Sequence, residues 1–200
     1  MVIFSMVLAG GSMQPRTDRG AKIDEQLFRR IGDDDPAAFE ELYRQTERTL
    51  YAYALSVVRN HEEALDVLQD TYLKIRASAH LYQPRGKPLA WMLTIARNLA
   101  YSKLRKESRI ADAGMDRMEN SLQYAYVTDP EDRMVLEAAM MVLPEQERQI
   151  VLLHAVGGYR HREIAESLGL PLSTVLSKYQ RALKKLRDHL LKMGVSRDEE

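Results

Sequence analysis

Cysteine is absent from all 200 residues. That one absence removes disulfides, thiolate metal ligands and thiol nucleophiles, and it suits a reducing compartment. Long apolar runs are missing as well. The opening eleven residues are apolar, but they are too few to cross a bilayer and lack the basic flank of a signal peptide. Net charge is missing: 29 Lys and Arg face 29 Asp and Glu, so bulk electrostatics selects no partner. Sustained two-residue alternation, internal repeats and low-complexity tracts are missing, which argues against a sheet. No His-Glu-x-x-His, phosphate-binding loop or nucleophile elbow occurs, so no catalytic residue, metal site or cofactor is expected. His154 and His161 are seven apart, but the break at Gly157-Gly158 between them argues against a metal pair.

What remains is helical periodicity, and the expected fold class is all-α. Residues 1–20 read as a disordered leader, with Met13 as an alternative start, and 194–200 as a tail. A short amphipathic helix is expected over 21–31, with Ile23, Leu27 and Ile31 on one side. Gly32-Asp33-Asp34-Asp35-Pro36 ends it; one aspartate caps the next helix and Pro36 suits its first turn. That helix runs to about Arg59, with Phe39, Leu42, Tyr43, Leu50, Tyr53, Ala54, Val57 and Val58 as its buried stripe. Asn60 caps a third helix, to about His80, with Ala64, Leu65, Leu68, Tyr72 and Ile75 inside. A basic loop with two prolines and a glycine, 82–88, precedes a fourth helix over 89–106. Its expected core is Trp91, Met92, Ile95, Ala96 and Leu99.

Residues 108–130 show no period and read as an extended acidic linker. Helices resume at 131–143 and at 144–156, with Pro144 in a first turn. The expected organisation is therefore two small helical domains, 21–107 and 131–193, joined by that linker.

Local charge says more than the total. Arg97, Lys103, Arg105, Lys106 and Arg109 form one basic cluster. Arg160, Arg162, Lys178, Arg181, Lys184, Lys185, Arg187 and Lys192 form a second, and the segment between is acidic. This pattern suggests two contacts with a polyanion and a connector held away from it. The second cluster lies in a helix-turn-helix register. Ala165 permits a close crossing, Gly169 suits a turn with positive φ, and Val175 anchors the next helix. Ile164, Leu168, Leu170 and Val175 should bury together, leaving Ser173, Thr174, Ser177, Lys178 and Arg181 outside. Asp66, Gln69 and Asp70 share a face of the third helix. On charge alone, that face reads as a solvated helix surface before it reads as a docking site.

These segments resemble a known family. Phe39–Leu42–Tyr43, the run Glu63 to Lys74, and Ala90-Trp91-Met92-Leu93-Thr94-Ile95-Ala96-Arg97-Asn98 are similar to region two of bacterial sigma factors. Leu143-Pro144-Glu145-Gln146-Glu147-Arg148 followed by the helix-turn-helix is similar to region four. The direct junction between them resembles the small extracytoplasmic-function (ECF) group. The resemblance implies an alternative sigma factor that binds RNA polymerase core and directs promoter-specific initiation. It places Asp66, Gln69 and Asp70 on the β′ clamp coiled coil. It places Arg85, Lys87, Arg97, Asn98, Tyr101 and Arg105 at the −10 element, and Ser173, Thr174, Ser177, Lys178, Arg181 and Lys185 at the −35 element. Lys184, Lys185 and Arg187 suit backbone phosphates or the β flap better than bases. It further implies an anti-sigma partner, a cytoplasmic location and no membrane insertion. Two positions depart from the pattern: Leu176, where a basic residue is usual, and Ser102, where an acidic one is. The competing expectation is a stand-alone helix-turn-helix regulator.

Overall fold

A computed structural model of the chain describes Val7 and residues 23–84, 86–111 and 129–193, with positions 107–111 described by backbone alone. Among these residues there are eight α-helices and no strand: α1 (Gln26–Gly32), α2 (Pro36–Val58), α3 (His61–Ser78), α4 (Pro88–Ala111), α5 (Pro130–Val142), α6 (Glu145–Ala155), α7 (His161–Leu168) and α8 (Leu172–Lys192). Helices α1–α4 form one compact unit and α5–α8 another. The all-α expectation holds. Of the leader, only Val7 is described; it is helical and buried. The tail and positions 112–128 of the linker lie outside the described residues.

Local chemistry sets the helix ends. Asp35 Oδ1 accepts from the Ala37 and Ala38 amides at 2.9 and 3.2 Å, and Pro36 follows in the first turn. Asn60 Oδ1 accepts from the Glu63 amide at 3.1 Å. Each cap satisfies amide donors that the first helical turn leaves without a partner inside the helix. Between them, Arg59 takes φ 63°, a left-handed stop that lets α3 fold back along α2. Three boundaries differ from expectation. α1 starts only at Gln26, whose amide donates to Asp24 Oδ1 at 2.9 Å. α4 continues to Ala111, through the first positions assigned to the linker. Pro144 precedes α6 instead of sitting in its first turn.

In the first unit, α2, α3 and α4 pack against one another, and α1 and a 3₁₀ turn (Ala79–Leu81) cover one end. Leu42, Leu50, Tyr51, Ala54, Leu55, Ile75, Met92 and Ala100 are fully buried. The Tyr72 and Thr46 hydroxyls meet at 2.7 Å and tie α3 to α2. The apolar stripes are rotated slightly from those expected. Val67 is inside and Leu65 half-buried; Leu93 and Ala100 are inside and Ile95 and Leu99 half-buried. The cause is shared: α3 and α4 each pack on more than one helix, so the buried face is wider than one periodic stripe. Phe39 and Tyr43 stay near the surface, their rings against Tyr72.

In the second unit α8 is the centre, packing on α5, α6 and α7 through Val175, Tyr179, Ala182, Leu183, Leu186 and Leu190. Gly169 adopts φ 66° after α7, as the turn requires, and the Leu170 amide donates to Ala165 O at 2.9 Å. Ile164, Ala165 and Val175 are buried, whereas Leu168 and Leu170 are half-buried. The buried Arg148 donates to Leu143 O at 2.9 Å and satisfies a carbonyl at the end of α5.

Candidate nucleic-acid interface

Three surfaces carry the residues singled out by sequence. The first is the outer face of α3. Asp66, Gln69 and Asp70 are all exposed, and Leu73, 60% exposed, extends the ridge by one turn. Asp66 is engaged already: its Oδ2 accepts from Lys103 Nζ of α4 at 2.7 Å. Gln69 and Asp70 with Leu73 are thus the part of the ridge open to a partner.

The second surface runs along α4. Arg97, Asn98, Tyr101 and Arg105 line one open groove, with the Arg97 guanidinium 5.6 Å from the centre of the Tyr101 ring. Helical spacing at i, i+1, i+4 and i+8 gathers them. Two cations beside a phenol ring and a carboxamide can bind phosphates and a stacked or hydrogen-bonded base. Lys87 lies elsewhere, in a depression at the start of α4 shared with Tyr82, Gln83, Trp91 and Thr94. Arg85 lies outside the described residues. Trp91, expected in the core, is only half-buried. Its ring meets Phe28 edge-on at 5.3 Å and Tyr82 at 5.2 Å, because the loop folds Tyr82 over the end of α1. One side packs on the unit and the other lines the depression. Tyr82 opens the basic loop that the sequence marks just before Trp91, whereas Thr94 carries no signal of its own in the sequence.

The third surface is α8. Ser173, Ser177, Arg181 and Lys184 are exposed along its outer face, and Thr174 and Lys178 are half-buried at its flank. The Ser177 hydroxyl donates to Thr174 O at 3.0 Å. Lys185 is different. Its ammonium donates to Glu147 Oε2 at 2.8 Å, a carboxylate only 7% exposed near the start of α6. The bond holds α8 against α6. Gln180, exposed beside Ser177 and Arg181, was missed; only the rotation of α8 on its neighbours puts it on that edge.

Below α8 lies a cluster that the sequence argued against. The His154 and His161 rings stack at 4.4 Å, and the Tyr179 ring meets them edge-on at 5.1 and 4.4 Å. The glycines that seemed to separate the histidines bring them together. A Cβ on Gly157 would stand 2.7 Å from Leu153 O, and Gly158 takes φ 76°, so only glycine closes this turn. The neutral His154 ring donates from Nδ1 to Tyr159 O at 2.7 Å. Burial pushes His161 down to about 4, helped by repulsion from the proton that the adjacent His154 ring can also take up. Burial also lowers His154, against its bond to Tyr159 O, and raises the Tyr179 hydroxyl to about 12. His161 Nε2 is buried with no hydrogen-bond partner. Stacked neutral rings make this a packing element of the helix-turn-helix.

Comparison with known proteins decides the family. The Sigma-70 region 2 profile matches residues 42–110, spanning α2 to α4. The Sigma-70, region 4 profile matches residues 133–186, spanning most of α5 to α8. Together they take in more than half of the chain. The chain belongs to the sigma-70 family. It is similar to the ECF RNA polymerase sigma factor SigK of Mycobacterium bovis (strain BCG / Pasteur 1173P2), at 29% identity over 174 residues, 83% of this chain and 92% of the relative. SigK of Mycobacterium tuberculosis (strain ATCC 25618 / H37Rv) matches equally. Among solved structures, the sigma factor RpoE in complex with the anti-sigma factor NepR from Bartonella quintana aligns with a TM-score of 0.60 at 26% identity, over 78% of this chain and 98% of that one. CnrH in complex with the cytosolic domain of CnrY aligns with a TM-score of 0.59 at 22% identity, over 86% and 99%, a likeness of fold. This sigma-70 protein is of the ECF kind, an alternative sigma factor that directs promoter-specific transcription. Among its described residues no helix is long and apolar enough to cross a membrane.

Proposed function

We propose how this sigma factor divides the work among its surfaces. The α3 ridge, through Gln69, Asp70 and Leu73, docks on a basic surface of core polymerase, the β′ clamp coiled coil. The groove of Arg97, Asn98, Tyr101 and Arg105 takes the −10 element as single-stranded DNA, and the depression of Lys87, Tyr82 and Trp91 receives an unstacked base. Arg85 belongs to the same basic loop. Ser173, Thr174, Ser177, Lys178 and Arg181 face the −35 major groove. Lys184 and Arg187 serve backbone phosphates or the β flap; Lys185 positions α8 through Glu147. The role is non-catalytic: bases displaced from the duplex gain stacking and hydrogen bonds on the protein.

The observation that carries this division is the co-location, in one helical bundle, of an acidic ridge on α3 and a basic, base-accepting groove on α4. A stand-alone helix-turn-helix regulator has no use for either. Complementary charge then separates the partners, acidic surface to protein and basic surface to DNA. An inhibitory anti-sigma protein is proposed as a further partner, in line with the RpoE complex, and the cytoplasm as the location. Run-off transcription with purified core polymerase is the test. Specific transcripts that require this chain are expected. Core that neither binds the chain nor initiates specifically with it would refute the division of roles.

A further inference from the structure

The upstream edge of α8 is apolar where a DNA reader ordinarily carries charge. Leu176 is 42% exposed and Leu172 38%, whereas Leu183, Leu186 and Leu190 on the same helix are at most 3% exposed. Gln180 stands one turn after Leu176, also exposed, with no hydrogen bond to another described residue. The first two turns of α8 hold a single cation, Lys178, half-buried and roughly on the opposite flank from Leu176 by helical spacing. Ser177, the adjacent hydroxyl, donates to its own helix. From Leu172 to Gln180 this edge therefore presents branched apolar groups and a carboxamide; the exposed cations, Arg181 and Lys184, come beside and beyond Gln180.

Base-pair edges in the major groove differ in what they offer. Only thymine presents a methyl group, and a carboxamide matches the paired N6 donor and N7 acceptor of adenine. Bidentate recognition of guanine calls for Arg or Lys. Positions 176 and 180 are about 6 Å apart along the helix, within about two base-pair steps. Resting on the reading that α8 enters the −35 major groove, we propose that Leu176 and Gln180 are specificity-determining residues that together read an A·T-containing step, Leu176 against a thymine methyl and Gln180 against adenine N6 and N7. The surrounding exposed cations, Arg181 and Lys184, supply attraction to phosphate without naming a base.

The test uses the full chain assembled with core polymerase on a duplex pool randomised across the promoter, followed by sequencing of bound DNA. The proposal expects adjacent A·T pairs to be selected within the −35 region. Replacing the selected thymine by 2′-deoxyuridine, which deletes only the methyl, should weaken binding about fourfold, the worth of one buried methyl. Leu176→Ala should bind both duplexes equally. Gln180→Ala should relax selection at the adenine by at least about fivefold. Both residues are exposed, so these variants keep the fold. Indifference of the wild type to the uracil exchange, or selection of G·C at this step, would overturn the proposal and leave promoter recognition intact. Uracil indifference with Leu176→Ala weakening assembly with core would assign the edge to a protein partner and overturn it too. A pool with no selected sequence at all would overturn promoter reading itself.

Discussion

Acid should loosen the helix-turn-helix through His161 before it disturbs the first unit. His161 Nε2 is buried without a partner, and its ring is stacked on His154 and covered by Tyr179. A proton there is unwelcome in the fold, which sets its titration near 4 against an ordinary 6.5. The folded value is depressed, so the contribution to stability is complete above the unfolded value of about 6.5. It is lost as pH falls from there through about 4. A fall of about 2.5 units corresponds to about 3 kcal/mol; the ring is only half out of water, and solvent screening reduces this to roughly 1–2 kcal/mol. For a domain of this size that is a fall of roughly 5–15 °C in melting temperature. The only tryptophan, Trp91, reports on the other unit, so the assay is NMR of the full chain. Ring resonances of His161 give its titration, and α8 amides give unfolding against denaturant at about pH 7 and about pH 4.5. His161→Phe keeps the stacked ring and has nothing to protonate. It should lose roughly 1–2 kcal/mol less than the wild type between those conditions. A His161 resonance that titrates at or above about 6.5, or an acid loss unchanged by the substitution, would refute the reasoning.

Further outcomes are expected. Lys185→Met should lower the stability of the second unit by about 1 kcal/mol, since it strands the buried Glu147 carboxylate, yet leave the salt slope of −35 binding unchanged. Arg181→Ala should do the reverse, reducing that slope by about 1 with little effect on denaturant midpoint; equal slopes for the two variants would count against the distinction. Arg59→Gly should stabilise the first unit by about 0.5–1 kcal/mol, because φ 63° suits glycine better than arginine, and an unchanged or lower midpoint for Trp91 fluorescence would contradict that. Asp70→Lys should weaken core binding severalfold in a pull-down without altering −35 DNA affinity, whereas Asp66→Asn should act mainly by releasing Lys103; equal core affinity for Asp70→Lys would remove the ridge from the interface.

Local sequence determined what local chemistry controls. Asp35 with Pro36, Asn60, and Gly169 after Ala165 each act within four residues, so the caps and the turn were readable without neighbours. Helical period, the order of the motifs and the place of the basic clusters were readable for the same reason, and they carried the family. Tertiary packing decided the rest, because a side chain's role depends on the helix it meets. Lys185 and Arg181 are both basic and one turn apart, but only Lys185 meets a buried Glu147. Asp66 and Asp70 look alike in the chain, and Lys103 distinguishes them from thirty-seven residues away. Trp91 became half a core residue when Phe28 and Tyr82 closed on one of its faces. The glycines at 157 and 158 read as a separator, and the direction of the turn made them the hinge that stacks His154 on His161. Sequence periodicity gives the face of a helix to within a residue or two. Which edge of α8 carries Leu176 and Gln180 into the open depends on its rotation against α5, α6 and α7, and that is a property of the packed unit.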